Sequence, residues 1–93
     1  MKIYNLMISD GRGWSSSRVF PDHDEAIDYV QNLELGQREI EGDALKHLFH
    51  YDITDVVHPP FHAEGKRIYC SYAWTEFKGG SGCTWRAVYE QEI

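Results

Sequence analysis

The sequence predicts an α+β fold: two layers, with a mostly antiparallel sheet of four to five strands carrying one amphipathic helix on one face. Three observations point there. Residues 66–93 form two alternating runs around a glycine-rich break, as in a long hairpin. Residues 22–35 place apolar side chains at helical spacing behind a capping signal. The first twenty residues hold two short runs of strand formers, separated by Asp10-Gly11-Arg12-Gly13, where glycine permits positive φ. The chain of 93 residues is expected to make a single domain, 1–93, with a modest core. The expected order is β-β-α-(short α)-β-β-β.

Taken in order, Ile3 to Ile8 reads as the first strand and Trp14 to Phe20 as its antiparallel partner, whose serines suit an exposed face or an edge. Gly11-Arg12-Gly13 reads as a turn, since no helix follows to make an anion site. Phe20-Pro21 ends the second strand. Asp22 and Glu25 have capping-box spacing, so the helix begins there. Ala26, Ile27, Val30 and Leu33 span an arc of about 120° opposite Asp24, Asp28, Gln31 and Asn32. Gly36 is read as the left-handed residue that ends the helix after roughly 13 residues. Gln37 to Gly42 reads as a loop. Asp43 to Phe49 is expected to form a short helix, with early extension into a strand as the alternative. Tyr51 to Val57 alternates as a third strand, stopped by His58-Pro59-Pro60.

In the hairpin, a four-residue loop Gly79–Gly82 would pair Lys78 with Cys83 and Trp74 with Ala87. That puts Ile68, Cys70, Tyr72, Trp74, Cys83, Trp85, Ala87, Tyr89 and Ile93 on one face, the apolar one on which the helix is expected to pack. Tyr69, Ser71, Ala73, Thr75, Phe77, Thr84, Arg86, Val88, Glu90 and Glu92 read as the outer face. Cys70 would then lie eight positions from the residue opposite Cys83, about 25 Å, so no disulfide joins the two.

Thirteen aromatic residues (Trp 3, Tyr 6, Phe 4) and 42% apolar content supply the bulky side chains that disordered chains lack. These aromatics fill a sheet or anchor a half-exposed binding surface. Tyr4, Asn5 and Asp10 interrupt the N-terminal apolar run too early for a signal peptide, and no run approaches the length of a membrane span. A cytoplasmic location is expected.

The formal charge is −6, and its distribution is uneven. Pro21 to Asp43 holds eight acids against the single base Arg38, giving −7; the rest of the chain holds seven acids and eight bases, giving +1. Acidity disfavours direct binding to nucleic acid or anionic lipid and favours a basic protein partner. Asp22, Asp24 and Glu25 are explained by the helix dipole, which favours negative charge in the first turn. Asp28, Glu34, Glu39, Glu41 and Asp43 are not, and Asp24 and Asp28 repel at i, i+4. The expected docking residues are therefore Asp24, Asp28, Glu34, Glu39, Glu41 and Asp43, with Tyr69 and Phe77 as aromatic anchors.

Other chemistries find less support. His47, His50, His58 and His62 have spacings within reach of zinc-ligand patterns, with Cys70 or Asp52 to complete a site, so a metal- or small-molecule-binding accessory domain is the alternative reading. Structural zinc sites in small domains usually use at least two cysteines, however, and this chain does not need a metal to form a core. Cys70 and Cys83 fall on the apolar face, where a thiol is inert, and no serine lies in a nucleophile motif. Asp52 and Asp55 beside histidines are an ordinary feature of an acidic chain. No catalytic residue and no cofactor are expected.

In its small, acidic, single-domain style the chain resembles phage and mobile-element inhibitors, including anti-CRISPR and nucleic-acid-mimic proteins. That resemblance covers no motif and carries no residue over. It implies a non-enzymatic protein that blocks a host nucleic-acid-handling complex. Independently of that resemblance, the chain is expected to be a monomer or a weak homodimer formed through an exposed strand edge, such as that of the second strand.

Overall fold

The computed structural model describes residues 1–10, 12–50 and 63–93. Among them β1 (Lys2–Ser9), β2 (Ser15–Phe20), β3 (Leu45–His50), β4 (Lys66–Phe77) and β5 (Gly80–Glu92) form one antiparallel sheet in the order β2-β1-β5-β4-β3. A single long helix, α1 (His23–Glu41), lies on one face. The expected α+β architecture and element order are therefore present. The serine-rich β2 occupies one edge, as its polar composition implied, and β3 the other.

The helix begins as expected. Asp22 is extended, and its Oδ2 accepts from the Glu25 amide at 3.1 Å. It does not stop at Gly36. It runs 19 residues to Glu41 and is closed by Gly42 at φ 53°, whose N–H donates to the Arg38 carbonyl. Gly42 takes the positive φ that side chains resist, while Gly36 stays inside the helix at a cost of about 1 kcal/mol relative to Ala. The expected loop 37–42 is thus the helix's last turns.

The expected short helix over Asp43–Phe49 is also corrected. Only one 3₁₀ turn, Gly42–Ala44, precedes β3. Leu45–His50 instead pairs with β4, Leu48 opposite Ala73 and His50 opposite Ser71. Cross-strand hydrogen bonding thus prevails over a weak helical spacing. The expected strand Tyr51–Val57 and the Pro59-Pro60 stop lie outside the described residues.

In the β4–β5 hairpin, Phe77 pairs with Gly80, so the turn is Lys78-Gly79, with Gly79 at φ 95° supplying the corner. Trp74 therefore faces Cys83, not Ala87, and Cys70 faces Ala87. Both glycines beyond the turn, Gly80 and Gly82, become strand residues. The change of partner is an even number of residues, so it leaves each side chain on its predicted face along most of the hairpin. Cys70 and Cys83 are four positions apart rather than eight, about 13 Å, and both are free thiols.

The larger correction concerns which face the helix covers. It packs on Tyr4, Leu6 and Ile8 of β1, Phe20 of β2 and Val88 of β5 through Ala26, Ile27, Val30 and Leu33. This is the face carrying Tyr69, Ser71, Ala73, Thr75 and Arg86, expected to be outside. Ser71 and Ala73 are fully buried there; their small side chains leave room for α1, where Tyr72, Trp74 and Trp85 on the opposite face would hold it away. Cys70, Ala87 and Tyr89 form a second buried cluster on that opposite face, with Met7 and Ala63 against it.

Candidate functional site

The outward surface of α1 is built by helical periodicity. At about 100° per residue, Asp24, Asp28, Leu35 and Glu39 share an arc of about 60°. All four are exposed, Leu35 at 62%. Asp43 is exposed in the turn that follows. Among the described residues no lysine or arginine lies within ion-pair distance of the carboxylates of Asp24, Asp28, Glu39 or Asp43, although Lys46 Nζ donates to the Asp43 backbone carbonyl at 2.8 Å; Asp24 contacts the His23 ring at 2.9 Å. An acidic stripe about 22 Å long, interrupted by one exposed leucine, therefore faces solvent.

Glu34 and Glu41 do not join it. Glu34 falls between Ile27 and Val30 on the wheel, and the helix's continuation past Gly36 brings Glu41 to the same side. Glu34 is 5% exposed; its Oε1 accepts from the Tyr69 hydroxyl at 2.6 Å, and its Oε2 lies 3.0 Å from His50 Nε2. Because the Tyr69 proton is directed at Glu34, His50 Nε2 must carry its own proton to approach the Tyr69 oxygen at 2.6 Å. Glu41 Oε2 accepts from the Thr75 hydroxyl at 2.6 Å and from the Gln37 side-chain amide at 3.2 Å. Glu34 and Glu41 lie one heptad apart on the same helix face, so they tie its second half to β4 at two points.

Arg86 of β5 completes this layer. It is 7% exposed, and burial holds its guanidinium below the ordinary arginine value, while Glu34, Tyr69 and Glu41 act in the other direction. Burial first, and then Glu34, pushes the Tyr69 hydroxyl well above the usual tyrosine range. Tyr69 is thus a neutral donor, and both oxygens of Glu34 are engaged. The cluster holds helix to sheet and leaves no free base among its buried members.

No family model, curated protein or solved structure matches the chain. Function therefore rests on the residues themselves.

Of the expected docking residues, Asp24, Asp28, Glu39 and Asp43 are exposed, as is Phe77 beside the hairpin turn. Glu34 leaves the docking set because it is buried, Glu41 because its carboxylate is held by Thr75 and Gln37, and Tyr69 because its hydroxyl is held by Glu34. The histidine window does not converge either. His47 stacks on Trp74 with ring centroids 5.4 Å apart, whereas His50 reaches Glu34 on the other face of the sheet. Three residues apart on a strand, they point in opposite directions and cannot ligate one ion. His58 and His62 lie outside the described residues. Among the described residues no three His, Cys, Asp or Glu side chains converge as a metal site, and no helix is long and apolar enough to cross a membrane.

Leu35, Gly36, Gln37 and Arg86 were not anticipated. The wheel from Asp22 already places Leu35 outward and Glu34 inward, and continuing it beyond Gly36 turns Gln37 and Glu41 inward as well. Arg86 carried no local sign, since an arginine on a polar strand face ordinarily faces water.

Proposed function

We propose that this is a non-enzymatic interaction domain that docks the outer face of α1 on a basic protein surface. One observation carries the reading: Asp24, Asp28 and Glu39 share a single helix face with exposed Leu35, and no described lysine or arginine neutralises them. Like charges held together on a rigid element repel, and a surface of opposite sign relieves that repulsion while steering association. Leu35 offers the central apolar contact that a rim of charge needs. A basic, nucleic-acid-handling protein is the partner class this chemistry suits, and an inhibitor of the phage or mobile-element kind would use it.

Immobilised untagged protein, challenged with host lysate, should retain partners that elute between low and high salt and that the Asp24→Lys/Asp28→Lys/Glu39→Lys variant fails to retain. A retained set that ignores both salt and the triple reversal would end this reading.

A further inference from the structure

Among the described residues the sheet has two outer strands, and only one is protected against further pairing. β3 carries Lys46 and a register shift between Leu45 and His47, both of which discourage another strand. β2 has neither. It pairs with β1 without a bulge, and Ser15, Ser16, Ser17, Arg18 and Val19 are all exposed. We infer that this edge joins the same edge of a second copy of the chain, antiparallel about Ser17, so that two five-stranded sheets become one continuous sheet.

The register follows from the direction of the main-chain groups. At the β1–β2 turn the Asp10 amide donates to the Trp14 carbonyl, and at the far end of β1 Met1 and Ile93 exchange both main-chain bonds. Bonded and non-bonded pairs alternate along an antiparallel ladder. Even-numbered residues of β1 therefore bond to β2 and odd-numbered ones to β5. On β2 this turns the main chain of Trp14, Ser16, Arg18 and Phe20 inward to β1, and aims the amides and carbonyls of Ser15, Ser17 and Val19 outward. A two-fold axis through Ser17 pairs Ser17 with itself and Ser15 with Val19, so every outward residue exchanges both of its bonds. An axis through Arg18 would set like charges opposite one another and Ser15 against Pro21, which has no N–H. An axis through Ser16 would set Val19 against Gly13, which leaves the extended region at φ 107°.

The same axis makes the side chains complementary. Trp14, 55% exposed, comes opposite Phe20 of the second copy and diagonal to its Arg18. The Arg18 guanidinium already lies 4.7 Å from the Tyr29 ring centroid and 5.3 Å from that of Phe20, turned onto the face that α1 covers. An indole from the second copy offers that cation one more aromatic face. The contact is isologous, so each copy gives and receives a Trp14. It uses no residue of the acidic stripe, and self-association is therefore separate from docking on a basic protein.

The test combines sedimentation equilibrium with amide hydrogen exchange by NMR, from about 50 µM to about 1 mM, since so short an interface associates weakly. The mass should rise from 10.8 kDa toward twice that value. The Ser15, Ser17 and Val19 amides should gain protection severalfold with it, while those of Ser16 and Arg18, bonded to β1, exchange slowly throughout. Ser17→Pro removes an outward N–H and no bond to β1, so it should keep the fold and abolish the dimer. Trp14→Ala should weaken the dimer at least tenfold, and decides alone if the proline variant fails to fold. A mass that stays monomeric through about 1 mM would overturn the inference. So would a dimer that survives Ser17→Pro with the fold intact, one that Trp14→Ala leaves unchanged, or one that forms without protecting Ser15, Ser17 and Val19.

Discussion

Removing Glu34 separates two accounts of the acidic segment. As a surface docking residue, Glu34→Ala would change stability by no more than about 0.5 kcal/mol. In the fold it is 5% exposed, with Tyr69 at 2.6 Å on one oxygen, His50 at 3.0 Å on the other, and buried Arg86 nearby. A hydrogen bond to a charged group contributes about 1.5–3 kcal/mol. Arg86 feels Glu34 only through space and makes no ion pair with it, so the lost balance adds less than the removal of one partner of a buried pair. The gain in helix propensity on placing alanine offsets only about half a kcal/mol. The expected loss is therefore about 3 kcal/mol. Urea denaturation followed by tryptophan fluorescence should show the midpoint falling by about 2 M at an m-value near 1.5 kcal/mol/M. Asp28→Ala, on the exposed face, should barely move it. A cycle with Tyr69→Phe should give a coupling of about 1–3 kcal/mol between the two positions. If Glu34→Ala and Asp28→Ala agree within about 0.5 kcal/mol, the inward orientation of Glu34 is wrong.

Two further outcomes follow from the same geometry. Gly36→Ala should stabilise by about 0.5–1 kcal/mol, because the site is helical and open, while Gly42→Ala should destabilise by about 1 kcal/mol or more at φ 53°; thermal melts with the opposite signs would place the helix end at Gly36. Burial, aided at Tyr69 by Glu34, raises the hydroxyls of Tyr69, Tyr72 and Tyr89. Since the folded values lie above the unfolded value near 10, their contribution to stability is complete below about pH 10 and is lost as pH rises beyond it. Absorbance at 295 nm should therefore show these three tyrosines ionising late, together with unfolding. Titration of all tyrosines near pH 10 with the fold intact would contradict their burial.

Local pattern was enough for much of this chain. The Asp22–Glu25 cap, the apolar stripe from Ala26 to Leu33, the serine-rich edge strand and the long hairpin all depend on residues close in sequence, and periodicity reports such features directly. The division of residues between the two hairpin faces survived a mistaken turn because the error was even in a structure of period two. Leu45–His50 satisfies helix and strand patterns about equally over its six residues, and pairing with β4 decides between them.

The acidic stretch Asp22–Asp43 divides along the same line. Its charge, its helical start and the exposure of Asp24 and Asp28 follow from composition and spacing alone. The wheel also sets Glu34 between Ile27 and Val30, but what receives its carboxylate does not follow from spacing, and Glu41 joins that face only once the helix continues through Gly36; the fold then supplies Tyr69, Thr75 and Arg86. These partners lie 35, 34 and 45–52 positions away in the chain. A carboxylate's environment is set by whatever the fold brings beside it, and residues so distant in sequence leave no periodic trace of their meeting.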